Sequence, residues 1–127
     1  MVTAALVDSK IEAGRWLVEL LDESNFPVNA ALWFLREESG SWRLVLATPL
    51  FDSFGSRETY RRLQQVLRDS SDGAPAFGVN EIQVVSPEDE LIRLLRTTVK
   101  VGPGLSGIRF TGNTINGVYV EDAYIYR

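Results

Sequence analysis

Cysteine and histidine are both missing from this sequence of 127 residues. Without thiols there are no disulfides, zinc-thiolate sites, iron–sulfur clusters or cysteine nucleophiles. Without imidazole, the commonest general base near neutral pH is gone, and with it the commonest ligand for zinc, copper or iron. Lysine is scarce: of 13 basic residues only Lys10 and Lys100 are lysine, and the other 11 are arginine. That bias follows either from a GC-rich genome or from use of planar, bidentate contacts. No run approaches the roughly 20 apolar residues of a membrane span. The apolar start of the chain has no basic residue ahead of it and is cut by Asp8, unlike a signal peptide, so a cytoplasmic location is expected. Net charge is −4 and the isoelectric point lies near 4.8. Neutralising phosphates needs clustered cations, so this balance argues against nucleic acid as the partner unless a local basic patch overrides it.

What is present is ordinary for a globular chain: 45% of residues are hydrophobic and mean hydropathy is −0.03. A chain of this size buries about two-thirds of its extended surface and needs no covalent staple. Over residues 4–23, Val7, Ile11, Leu17, Val18, Leu20 and Leu21 recur at helical spacing and predict a first helix. Residues 28–35 form an almost unbroken apolar run, as in a strand covered on both faces. The polar residues 37–41 then turn the chain into a second strand over 42–48, which Pro49 ends, so the two strands make a hairpin. After a connection over 50–55, Ser56 caps a second helix running to about Arg68, with Tyr60, Leu63 and Leu67 inward. Residues 69–78 read as a surface loop and 82–85 as a short strand. Ser86, Pro87, Glu88 and Asp89 give a cap, a first-turn proline and acids at the positive end of a third helix. From Gly107 onward, alternation around Gly112-Asn113 and Asn116-Gly117 predicts two or three antiparallel strands. The last of these lies either at a sheet edge, where Tyr124 and Tyr126 pair with a second copy, or in the interior. The expected fold is a single α+β domain over residues 1–127: a mixed or mainly antiparallel sheet of about five to six strands, with three helices packed largely on one face.

Few motifs carry chemistry. Residues 102–107 match the spacing of a dinucleotide-binding glycine loop, but a strand-like Ile108-Arg109-Phe110-Thr111 follows where a helix should begin. Acidic pairs occur at Glu37-Glu38, at 88–90 and at Glu121-Asp122. Neighbours on a strand point to opposite faces, and the 88–90 cluster already serves a helix start. Trp33 and Trp42 fit cross-strand packing in the hairpin, and Trp16 borders the core stripe of the first helix. The connection into the second helix is the most promising segment, because strand-to-helix loops point free N–H groups at solvent. Phe51 and Phe54 flank Asp52 there; Ser56 follows, and Arg57 and Arg61 lie one turn apart with Arg62 and Arg68 beside them. The plainer reading pairs these arginines with Glu58 and the acids that follow Arg68.

Ala30-Ala31-Leu32-Trp33 and the segment Trp42-Arg43-Leu44-Val45-Leu46-Ala47-Thr48-Pro49 resemble a family of small bacterial proteins of unknown function. The resemblance implies a bacterial cytosolic origin and carries over no catalytic residue. The leading expectation is a non-enzymatic interaction module, self-associating as a homodimer or binding another protein or a small anionic ligand through Phe51, Asp52, Phe54, Ser56, Arg57 and Arg61. It calls for no cofactor, no metal and no membrane. The alternatives are a small hydrolase or phosphate-ester enzyme using carboxylates with Arg57 or Arg109, aided by magnesium, and a nucleic-acid binder using the second helix.

Overall fold

The apolar run at 30–36 becomes the centre of the sheet. In a computed structural model that describes residues 8–36, 40–69, 81–98, 107–115 and 117–127, β1 spans Ala30–Arg36. The Gly102–Ser106 stretch, the loop over 70–80, Val7 and the residues before it, Glu37 to Ser39, Val99 to Val101 and Asn116 lie outside the described residues, with the expectations attached to them. Along β1, Ala31, Trp33 and Leu35 turn to one face and Ala30 and Leu32 to the other, and each set joins a separate core. Burial on both faces is why the strand reads as continuous rather than alternating apolar sequence.

β1 pairs antiparallel with β2 (Ser41–Ala47), which places Leu35 opposite Trp42 and Trp33 opposite Leu44. The tryptophans thus occupy diagonal positions in one core cluster, as the hairpin reading expects. β3 (Ile82–Val85) runs parallel to β2, and α2 (Pro49–Asp69) lies between them in sequence. A β-α-β unit is therefore embedded in an otherwise antiparallel sheet. β4 (Ile108–Ile115) and β5 (Val118–Ile125) form an antiparallel hairpin, and Gly117, just before β5, takes a positive φ of 83°. Gly112, expected to turn the chain, instead sits inside β4 at φ 58°. β5 pairs with β1, giving the order β3-β2-β1-β5-β4. The C-terminal strand is thus interior, which removes the edge-pairing role considered for Tyr124 and Tyr126.

The result is an α+β domain in which the described residues form three helices on a five-stranded mixed sheet. α1 (Asp8–Glu23) buries Ala13, Leu17, Val18 and Leu21 on the same face as Leu63 of α2. α3 (Glu90–Thr98) covers the opposite face with Ile92 and Leu95. The N-terminus of α3 falls one turn later than the proline suggests. Ser86 closes a turn, its carbonyl accepting from the Asp89 N–H and its hydroxyl from the Glu88 N–H. Asp89 is the cap: its carboxylate accepts from the Leu91 N–H at 3.1 Å and its carbonyl from the Arg93 N–H. Among the described residues, no helix is long and apolar enough to cross a membrane.

Candidate functional site

The segment after β2 is helical from Pro49, not a loop. Thr48, fully buried, supplies the cap: its hydroxyl accepts from the Leu50 N–H at 3.2 Å and its carbonyl from the Phe51 N–H. Pro49 occupies the first helical position, where its missing N–H costs nothing. Six residues later the helix breaks at Gly55, with φ 81° and ψ 173°, a conformation open only to glycine. The helix restarts with Ser56 already helical, so Gly55 and not Ser56 is the junction residue. The Gly55 carbonyl accepts the Thr59 hydroxyl at 2.6 Å, and Thr59 is buried.

This kink turns residues 52–57 outward as a run of six consecutive exposed residues. Of the expected binding residues, Asp52, Phe54, Ser56, Arg57 and Arg61 are exposed, whereas Phe51 is half-buried against the core beneath α1 and α2. Phe54, 47% exposed, and Tyr119 are the large apolar side chains left open to solvent among the described residues. The Arg62 guanidinium lies 4.0 Å from the Phe54 ring centroid, a cation–π stack across the kink. Spacing alone does not reveal that contact, because the break at Gly55 resets the helical phase between the two residues.

Glu58 organises the cations. Both its oxygens accept from Arg61, at 2.8 and 2.7 Å, and one also accepts from the Arg62 Nε at 2.9 Å. These donors, Arg61 foremost and then Arg62, hold its carboxyl down at about 2, and Glu58 in turn raises the Arg61 pKa. The local pairing read from the i, i+3 and i, i+4 spacing is therefore present for Arg61 and Arg62. Arg57 is exposed and makes no ion pair among the described residues.

Among the described residues, Arg109 is committed to Asp122 by two bonds, 2.6 and 2.5 Å, which raise the arginine pKa and lower the aspartate's. Asp89 and Glu90 do share a groove, but neither Arg57 nor Arg109 lines it. Among the described residues, no three acidic side chains gather in a way that would hold a metal ion. No known protein family, curated protein or solved structure matches the chain.

Proposed function

We propose that this chain is a cytoplasmic, non-enzymatic interaction module whose α2 kink docks onto an acidic protein surface, a second copy of this acidic chain included. The observation that carries the reading is the exposed Phe54 with Arg62 stacked on its ring, next to an exposed Arg57 that makes no ion pair among the described residues. An aromatic anchor ringed by arginine is the composition that dominates the energetics of protein interfaces. Glu58 restrains Arg61 and Arg62 in advance, which lowers the rotamer entropy lost when a partner binds. Residues 56–69 hold four arginines against two acids in a chain of net charge −4, so this helix is the part suited to an acidic partner.

The test is native mass spectrometry of the protein purified gently from its own host, comparing wild type with the double variant Phe54→Ser, Arg57→Glu. An Arg93→Glu variant, on the exposed side of α3, serves as control. A companion chain, or a second copy, retained by wild type and control but lost from the double variant is the expected result. A bare monomer in every sample, or equal retention by the double variant, removes this surface from consideration.

A further inference from the structure

A single short helix cannot cover the second face of the sheet. Five strands about 4.8 Å apart span roughly 19 Å, whereas a helix with its side chains is about 10 Å wide. Among the described residues, α1 and α2 together serve one face, whereas α3, nine residues long, is the helix on the other. The uncovered part is a groove of about 410 Å³. Its floor is Phe34, Val45 and Val85 from three adjacent strands, and its wall is Leu91 and Leu94 of α3. Gln83, paired with Val45 in the sheet, adds an amide to the floor, and Asp89 and Glu90 at the start of α3 are its acidic lining.

We propose that this groove binds a small amphipathic cation, an apolar body carrying an ammonium head. The volume falls within the roughly 300–1,000 Å³ of small-molecule sites, which combine apolar walls with a few polar groups. Charge selects the head group. Two carboxylates stand at the mouth, and among the described residues no lysine or arginine lines the groove; Arg43, opposite Phe34 across the β1–β2 ladder, is not one of its lining residues. Asp89 is occupied in capping α3, and Glu90 is exposed with no bond among the described residues. The N-terminal end of α3 contributes about half a positive charge at this mouth, and the two carboxylates outweigh it, so the net negative field concentrates cations above the apolar floor. The site is separate from the α2 kink, and its lining comes from β1, β2, β3 and α3.

The probes are hexylammonium, hexanol and hexanoate, titrated while the methyl resonances of Val45, Val85, Leu91 and Leu94 are followed by NMR. Hexylammonium is expected to move these methyls and to bind at least about tenfold more tightly than hexanoate, a difference of about 1.4 kcal/mol. Glu90→Gln, at an exposed position, should shrink that preference to about threefold or less while leaving hexanol unchanged. Gln83→Trp, which fills the groove from a partly exposed strand position, should abolish all three titrations; unchanged amide shifts elsewhere verify the fold of both variants. Methyls that do not respond, hexanoate binding as tightly as hexylammonium, or an amine preference that survives Glu90→Gln would each overturn the proposal.

Discussion

Tyr126 ties the C-terminal strand to α1 through its hydroxyl, which accepts from the Trp33 indole N–H at 2.9 Å and donates to the Ile11 carbonyl at 2.6 Å. Both aromatic rings are fully buried. Gly14 makes the approach possible: a Cβ there would lie 2.3 Å from the hydroxyl and 2.8 Å from the indole nitrogen. Nothing near Gly14 in the sequence signals this need, because its reason is a residue more than a hundred positions away. Tyr126→Phe removes the buried hydroxyl that accepts from the Trp33 indole and donates to the Ile11 carbonyl, so it should cost about 1–3 kcal/mol at neutral pH in a denaturant titration. Burial pushes the tyrosine pKa well above its ordinary value, while the N–H donated by Trp33 pulls the other way. The folded-state value thus exceeds the unfolded one, and the stabilisation is complete below about pH 10 and lost as pH rises beyond it. Wild type should therefore lose stability more steeply than Tyr126→Phe above pH ~10. Equal alkaline slopes would assign the titration to another group.

Two prolines with similar local signals open helices in different ways. Pro49 was expected to stop a strand and is the first residue of α2, whereas Pro87 was expected to start a helix and sits in the turn before α3. A threonine precedes one and a serine the other, and both hydroxyls cap the following N–H groups. The difference lies at Asp89, three residues beyond Ser86, which offers a second capping carboxylate and takes the helix start from Ser86. Element existence was thus legible from periodicity and composition, but the choice between rival caps was not. Asp89→Ala should destabilise by about 1 kcal/mol, and Ser86→Ala by clearly less, in paired thermal melts. The reverse order would restore the earlier helix start. At the kink, the expected arginine–glutamate pairing was legible from spacing, whereas the Phe54–Arg62 stack depended on a glycine conformation that spacing does not report. Because Glu58 has its carboxyl lowered from 4.5 to about 2, its contribution to helix stability is present above about pH 4.5 and lost as pH falls toward 2. Amide chemical shifts of residues 56–62 should report that loss in wild type and not in Glu58→Gln. Salt of ~0.5 M should reduce the difference, since the groups are exposed.

Across the whole molecule, the sheet has two edges, and one is closed by a side chain rather than a strand. Among the described residues, β3 lies at the margin and pairs only with β2. On its far side the Tyr60 hydroxyl accepts from the Val84 N–H at 2.9 Å and donates to the Ile82 carbonyl at 3.3 Å. One phenol therefore occupies a donor and an acceptor that would otherwise recruit another strand. The sequence placed Tyr60 on the inner face of its helix but could not say that it would meet an edge, because that depends on α2 carrying the chain across to a parallel neighbour of β2. The position of β5 was hidden for the same reason: local alternation is identical for an interior and a terminal strand, and only pairing with β1 decides. Lys10 holds the start of β3 from the other direction, its ammonium bonded to both oxygens of Glu81 at 3.0 and 2.9 Å. That pair is partly exposed and contributes little, so Tyr60 should be the principal seal. Tyr60→Phe keeps the ring in the core and removes only the hydroxyl, leaving the Val84 N–H without its acceptor. Its amide should then exchange with solvent at least tenfold faster, about 1.4 kcal/mol of lost protection, while amides of the β1–β2 ladder keep theirs. Faster exchange spread evenly over all strands would mean instead that the phenol stabilises the fold globally and that β3 opens only with the rest of the sheet.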